Sequence, residues 1–240
     1  MVDSASSVAL TSQMVSPMSE SPPDSLAEFE PERRNWIWLG IQTILRLFFS
    51  VWFRYRAYGY EELKHQRGML FVINHQSFLD PLLVGLPLSR PICYLARDSL
   101  FRIPVVGWIL RHTSVLPINR EAASTAALRT MIGHLRAGYW VGIFPEGTRS
   151  TDGTLGEMKP GFLALLRRTQ VPVCPVGIAG AQDALGRGAW FPHFAKVRVF
   201  FGPTIPACEI RTLLEEGERS LEKIIRDSLV SSIQEAVMRR

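Results

Sequence analysis

From Tyr60 onward, short apolar runs alternate with stretches of helical periodicity, and this alternation constrains the fold more than any other feature of the chain. The runs predict strands at 69–73, 92–95, 114–118, 140–144, 173–178 and 196–201. The helical patterns cover 81–86, 121–137, 162–170 and 210–238. Strands and helices in this order favour an α/β fold with a single, mostly parallel sheet flanked by helices.

The length of 240 residues, of which 47% are hydrophobic, suffices for one well-buried core and is too short for two. We therefore expect one domain over residues 58–240. Residues 1–31 are rich in Ser, Pro, Met and acidic residues and lack a basic stretch followed by an apolar one, which predicts a disordered tail rather than a secretory signal. The three widely spaced cysteines are an odd number and fit buried thiols in a reducing compartment.

Residues 32–57 predict a membrane-anchoring helical segment whose apolar part is 36–53. Gln42, Arg46, Ser50 and Arg54 recur every four residues, so they would form one polar stripe on a helix between bulky Trp and Phe side chains. Eighteen helical residues span roughly 27 Å, slightly less than the hydrocarbon core. A buried arginine at mid-membrane would also cost about 2.5 kcal/mol or more. We predict an amphipathic helix in the membrane plane, on the cytoplasmic face, as in a monotopic or peripheral protein; a single span and a buried core helix remain alternatives.

The first polar cluster follows directly after the apolar run 69–73, where active sites of α/β domains lie. His75 and Asp80 would stand about 140° apart on an ideal helix, so their pairing requires His75 in the turn before a helix that begins near Asp80 and Pro81. Asp80 would then accept the Nδ1 proton and leave Nε2 to take a proton from a hydroxyl. The motif alone is equally compatible with a helix N-cap and a turn histidine.

Two further clusters also follow predicted strands. Glu146 and Arg149 flank a Gly-Thr pair after the run 140–144 and could hold a polyol and its phosphate, since a guanidinium offers two parallel donors to a dianion. A salt-bridged surface turn is the alternative. Pro117-Ile-Asn-Arg120 ends another strand with a second arginine, and the proline-containing run 171–175 is expected to line the site.

Together these four blocks resemble the glycerolipid acyltransferase family, and most of all the 1-acyl-glycerol-3-phosphate acyltransferases, in order and spacing from about residue 58 to 205. The resemblance rests on the His-x4-Asp block with Phe-Pro-Glu-Gly-Thr-Arg-Ser at 144–150. It implies a catalytic dyad of His75 and Asp80 that needs no metal or cofactor, with an acyl-CoA or acyl carrier protein thioester as co-substrate. It further implies that the phosphoglycerol part of the acceptor is bound by Arg120, Glu146, Gly147, Arg149 and Lys159. Two positions depart from the family pattern, namely Asn119, where Asp is frequent, and Arg97, where Lys is common.

The resemblance implies transfer of an acyl group to the free hydroxyl of a lysophospholipid, 1-acyl-glycerol-3-phosphate, giving phosphatidic acid in phospholipid biosynthesis at a membrane. Another lysolipid or glycerol 3-phosphate is the alternative acceptor. A non-catalytic membrane-binding protein with a degenerate domain is a different class of function. A hydrolase using Ser77 or Ser150 would need a G-x-S-x-G turn, which the sequence lacks. The net charge of +5 also suits nucleic acid, but the basic residues are scattered and no nucleic-acid motif is present, so we expect no such partner.

Overall fold

The computed structural model describes residues 36–97, 101–102, 107–108, 110–111, 115–118, 123–189 and 191–240. The predicted tail at 1–31, and Asn119 and Arg120 of the second block, lie outside the described residues. The helices are α1 (Trp36–Trp52), α2 (Asp80–Gly85), α3 (Ala123–Arg136), α4 (Gly161–Thr169), α5 (Ala181–Leu185), α6 (Ala207–Glu216) and α7 (Glu218–Met238). The strands are β1 (Arg56–Tyr58), β2 (Met69–Ile73), β3 (Ile92–Arg97), β4 (Val115–Ile118), β5 (Trp140–Ile143), β6 (Val173–Ala179) and β7 (Arg198–Phe201).

The strands form a seven-stranded sheet in the order β1-β7-β6-β2-β5-β3-β4. Strands β2 to β6 run parallel to one another, whereas β7 is antiparallel to β6 and pairs in parallel with β1. The predicted fold class, a mostly parallel sheet flanked by helices, is therefore confirmed. Because β1 and β7 run the opposite way, their first residues lie at the same edge of the sheet as the carboxyl ends of β2 and β6.

The sheet is covered on both faces, and its central strands are accordingly apolar without alternation. Every residue of β2 and β6 is buried. Met69, Phe71 and Ile73 belong to a core that includes side chains of α1 and α2. Leu70 and Val72 point to the opposite core, which is formed with α3, α4, α6 and α7. The two cores hold β2 rigidly, and with it the loop that follows it.

One side of helix α1 packs against the rest of the protein, and the opposite side is exposed. Phe49 and Phe53 are buried in the core, and the Gln42 amide donates hydrogen bonds to the carbonyls of Leu86 and Leu88 at 2.8 and 3.0 Å. The polar stripe expected to face lipid headgroups is therefore turned toward the protein at Gln42, because backbone carbonyls after α2 satisfy the amide. The opposite side exposes Ile44, Leu47, Phe48 and Val51. Among the described residues, no helix combines the length and apolar character needed to cross a bilayer.

Three elements differ from the sequence prediction, and one of them is the five-residue helix α5, which was not predicted. Strand β1 was not predicted, because three residues are too few to show a period of two. The helical pattern at 210–238 corresponds to two helices, α6 and α7, separated at Gly217. Gly217 has φ of 123°, a conformation that L side chains rarely adopt, so the helix is interrupted there although the apolar periodicity continues.

Gly177 of β6 allows α7 to pack closely on the sheet. A Cβ atom at this position would lie 2.2 Å from the backbone carbon and oxygen of Ser232. Because backbone cannot rotate away, we expect Gly177→Ala to lower the free energy of unfolding by about 1–3 kcal/mol, measured by urea denaturation. Gly161→Ala is the matched control, since a Cβ there meets nothing within 4 Å. Equal stability of the two variants would contradict the close contact.

Candidate active site

Asn74 fixes the start of the loop that carries the first motif. Its buried side chain donates to the carbonyl of Ile178 at 3.0 Å and accepts from the amide of the same residue at 2.7 Å. The side chain thereby continues the pairing of β2 with β6 beyond the last residue of β2. The loop consequently leaves the sheet from a rigid point at its carboxyl edge. Of the run 171–175, which was expected to line the site, residues 173–175 belong to β6 and are buried, and β6 meets the loop through this backbone contact.

His75 and Asp80 meet across this loop. Nδ1 of His75 lies 2.8 Å from Oδ2 of Asp80, which is the first residue of α2 and fully buried. The same carboxylate oxygen accepts the backbone N–H groups of Gln76 at 2.6 Å and Ser77 at 2.7 Å. The turn before α2 is thus wrapped around one carboxylate, which holds the imidazole in a fixed orientation.

The surroundings of the pair leave one imidazole nitrogen accessible. Burial raises the pKa of Asp80, and the hydrogen bonds from His75, Ser77 and Gln76 oppose that rise. The imidazole stacks on Phe144 with ring centroids 4.0 Å apart, and the side chain is 19% exposed. Nε2 has no hydrogen-bond partner within the described residues. With the proton on Nδ1 shared with Asp80, Nε2 presents a lone pair to an incoming hydroxyl.

Glu146 connects the 144–150 turn to the loop of His75. It is buried, and its Oε1 accepts the backbone N–H of His75 at 2.9 Å while Oε2 accepts that of Gly156 at 2.9 Å. The backbone N–H of Ser150 in turn donates to the carbonyl of His75 at 2.7 Å. The two motifs, some 70 residues apart in the chain, are therefore joined through the backbone of His75 itself.

Two cationic side chains accompany the 144–150 turn. The Arg149 guanidinium carbon lies 3.6 Å from the centroid of the Phe78 ring, which is 53% exposed. A Cβ atom at Gly147, where φ is 67°, would lie 3.0 Å from Nζ of Lys159. The positive φ favours glycine in this turn, and the missing side chain leaves room for the close approach of the lysine. Arg149 lies on the turn that Glu146 ties to His75, and the backbone N–H of Lys159 donates to the carbonyl of Pro145 in that turn at 2.8 Å. Both cations are therefore placed where they could receive an anionic group.

A protein-family model described as Acyltransferase matches residues 54–179, which is slightly more than half of the chain and includes every predicted site residue. The chain belongs to the acyltransferase family. This acyltransferase is 34% identical over 155 residues to the chloroplastic 1-acyl-sn-glycerol-3-phosphate acyltransferase BAT2 of Brassica napus, with 63% of the chain and 45% of the relative covered. It is 29% identical over 178 residues to the 1-acyl-sn-glycerol-3-phosphate acyltransferase of Borreliella burgdorferi, with 73% and 70% covered.

The fold is shared with a solved relative. The crystal structure of the 1-acyl-sn-glycerophosphate (LPA) acyltransferase PlsC from Thermotoga maritima matches the acyltransferase with a TM-score of 0.69 and 27% identity. The match covers 82% of this chain and 78% of PlsC. The chain spans about half the length of the Brassica relative and of the chloroplastic 1-acyl-sn-glycerol-3-phosphate acyltransferase LPAT1 of Arabidopsis thaliana. The resemblance to 1-acyl-glycerol-3-phosphate acyltransferases drawn from the four motifs is thereby confirmed.

Sequence reasoning gave no role to several polar residues that hold the acyltransferase site together. Gln76 donates to the carbonyl of Gly153 at 3.0 Å, and the Ser77 hydroxyl donates to that of Leu185 at 2.6 Å. The signal in the sequence for such contacts is that these polar residues follow shortly after the fully apolar strand β2. Within the described part of the chain, no three His, Cys, Asp or Glu side chains are grouped as metal ligands.

Proposed function

We propose that this acyltransferase moves a fatty acyl group from an acyl thioester to the free hydroxyl of 1-acyl-glycerol-3-phosphate, producing phosphatidic acid at a membrane surface. The contact of 2.8 Å between His75 and Asp80, with Nε2 accessible, carries the proposal. The acceptor is supported by the activity after which the Brassica and Borreliella relatives are named. The donor is an acyl thioester of coenzyme A or of acyl carrier protein, and the reaction needs no metal.

The proposed reaction begins with the acceptor hydroxyl hydrogen-bonded to Nε2 of His75. The imidazole takes the proton as the hydroxyl oxygen attacks the thioester carbonyl carbon and forms a tetrahedral intermediate. The carbon–sulfur bond then breaks, and the imidazolium returns the proton to the leaving thiolate. Asp80 stabilises the imidazolium throughout, because its carboxylate already accepts the Nδ1–H group.

The remaining predicted site residues receive three different roles in this proposal. Arg149 and Lys159 bind the acceptor phosphate, and Arg120 is assigned the same role. Gly147 forms the turn that Lys159 approaches closely. Glu146 acts as a positioning residue in this proposal, since its two oxygens accept the backbone N–H groups of His75 and Gly156. Binding of the phosphate at a distance from the reacting hydroxyl orients the acceptor, and such orientation can lower the activation barrier of acyl transfer by several kcal/mol.

Membrane association is part of the proposal and is supported by the exposed side of α1. Its apolar side chains, Ile44, Leu47, Phe48 and Val51, form one stripe opposite the core contacts of Phe49 and Phe53. A helix with one side in the protein and an apolar side exposed suits an in-plane position at a lipid surface. We place the enzyme at the cytoplasmic face as a monotopic or peripheral protein, so that both acyl chains remain in lipid during transfer.

The function is tested by following thiol release from acyl-CoA in detergent micelles. We expect release that depends on added 1-acyl-glycerol-3-phosphate, and parallel assays replace the acceptor with glycerol 3-phosphate or another lysolipid. A second series replaces acyl-CoA with acyl carrier protein thioester. If no acceptor accelerates thiol release from either donor, the proposed function is wrong.

Arg149→Ala is expected to raise KM for 1-acyl-glycerol-3-phosphate by roughly 10- to 100-fold, since a charge-assisted hydrogen bond contributes about 1.5–3 kcal/mol. For the neutral acceptor 1-acylglycerol, KM should change little, because no phosphate is bound. Arg168→Ala, an exposed arginine on α4, is the matched control and should behave as wild type. Equal effects on both acceptors would exclude Arg149 as a phosphate ligand.

A further inference from the structure

A basic cavity lies where α1, β1 and β7 meet, separated from β2 by β6 in the sheet. Its volume is about 620 Å³, and it is lined by Ser50, Arg54, Tyr55, Arg56, Lys196 and Arg198. Four of these six residues are cations and none is acidic. The chemistry proposed for the His75 site uses none of them.

Arg198 forms the buried wall of this basic cavity. The residue is only 7% exposed, and its Nε donates to the carbonyl of Arg239 at 2.8 Å. Nη1 donates to the carbonyls of Arg54 at 2.5 Å and Val197 at 2.9 Å. Within the described residues, Nη2 has no hydrogen-bond partner. The guanidinium is therefore held by three carbonyls, and its remaining edge is the part available to a ligand in the cavity.

The charge around Arg198 is not neutralised locally. Burial lowers the pKa of Arg198, and the charges of Arg56 and Arg240 lower it further. The side chains of Arg54, Arg56 and Lys196 are exposed and form no ion pair among the described residues. The neighbouring acidic side chains already form ion pairs, Glu235 with Arg239 and Asp183 with Arg240. An anion entering the basic cavity would therefore meet unbalanced positive charge.

The backbone at the cavity is also held in an unusual conformation. Arg54 has φ of 41°, in the left-handed region that non-glycine residues seldom occupy. This conformation occurs where the Arg54 carbonyl accepts Nη1 of Arg198. Strain of this kind tends to occur at binding sites, where the surrounding structure maintains it.

The basic cavity adjoins the exposed apolar surface of the protein. Ser50 lies on α1 beside Leu47 and Val51, which are 66% and 75% exposed. Phe194, two residues before Lys196, is 71% exposed and stacks on Trp52 with centroids 4.0 Å apart. Cations at the rim of an apolar surface match a bilayer, in which anionic phosphates border the hydrocarbon.

We propose that this cavity binds the phosphate headgroup of an anionic phospholipid of the bilayer, at a site separate from the acyl-acceptor site. The inference rests on the proposed membrane position of α1. Arg56 and Arg198 begin β1 and β7, at the same sheet edge where β2 ends. A headgroup bound there would orient this edge, and with it the entrance to the His75 site, toward the lipid.

The test compares vesicle binding by the full chain and by the double variant Arg56→Gln with Lys196→Gln. The vesicles contain phosphatidylcholine alone or phosphatidylcholine partly replaced by phosphatidylglycerol. Wild type should bind the anionic vesicles more tightly. The double variant should lose roughly 30-fold of that affinity, at about five-fold per cation, and bind neutral vesicles as wild type does.

A matched control removes two exposed arginines from the opposite layer, Arg211→Gln with Arg219→Gln. This control should keep the preference for anionic vesicles. Equal losses of affinity in both double variants would mean that net charge alone attracts the protein, and this would overturn the proposed site. Wild-type affinity of the Arg56 and Lys196 double variant for anionic vesicles would also overturn it. If inorganic phosphate raises the Tm of wild type and not of the first variant, while vesicle charge has no effect, the ligand is soluble phosphate and the lipid assignment is wrong.

Thiol release in detergent micelles separates this inference from the proposed function. The Arg56 and Lys196 double variant should retain wild-type activity there, because the micelle supplies substrate without a charged bilayer. Activity without any vesicle charge preference would overturn the lipid site alone. Charge preference without acyltransferase activity would overturn the proposed function alone.

Discussion

Replacing His75 with alanine is expected to lower kcat for acyl transfer by about 10²- to 10⁴-fold, the range contributed by a general base. Nε2 of this residue is the accessible nitrogen of the buried pair, and Asp80 is fully buried and faces Nδ1. Glu146, the other carboxylate tied to this loop, accepts backbone N–H groups with both of its oxygens. The measurement is thiol release from acyl-CoA with saturating 1-acyl-glycerol-3-phosphate, so that the change appears in kcat and not in KM.

The variant should fold normally, which makes the assay interpretable. The ring is partly exposed, and the backbone of His75, rather than its side chain, joins Glu146 and Ser150. We therefore expect thermal unfolding close to that of wild type. Full activity in His75→Ala would exclude the dyad. If wild type itself binds vesicles but releases no thiol with any acceptor or donor, a non-catalytic membrane-binding role becomes the better interpretation.

The parts of the molecule that sequence predicted well depend on local patterns. The six predicted strands all occur in the sheet, because the buried strands of a mostly parallel sheet are short, largely apolar runs. The contact of His75 with Asp80 is likewise local, since both residues belong to one turn and the start of one helix. A spacing of five residues then allows few geometries other than the observed one.

The parts that sequence did not predict depend on contacts between distant segments. Gln42 belongs to the polar stripe of the predicted in-plane helix, but it donates to carbonyls 44 and 46 residues away. The sequence predicts a substrate contact for Glu146 but not that its oxygens accept the backbone N–H groups of His75 and Gly156. The Arg198 bond to the Arg54 carbonyl spans 144 residues. Periodicity carries no information on such pairings, because they are decided by which loops the sheet brings together.

Asp80→Asn is expected to lower kcat by about 10²- to 10⁴-fold while leaving the fold intact, since the same change in a serine-protease triad costs about 10⁴. An asparagine oxygen could still accept the N–H groups of Gln76 and Ser77, but it would carry no charge to stabilise the imidazolium. If the amide NH₂ instead faced His75, Nδ1 would become an acceptor and the proton would move to Nε2. Nε2 could then no longer take the proton of the acceptor hydroxyl.

Asp152→Asn is the matched control for Asp80→Asn. It makes the same chemical change in the loop that follows the 144–150 turn. Hydrogen bonds from Thr154 and Ser150 hold the pKa of Asp152 at about 2, but its carboxylate is exposed and does not contact His75. We expect its kcat to remain near that of wild type. A similar loss in both variants would attribute the effect to loop structure. Wild-type kcat in Asp80→Asn would mean that the carboxylate only organises the start of α2, because an amide can accept the same backbone hydrogen bonds but cannot supply the charge.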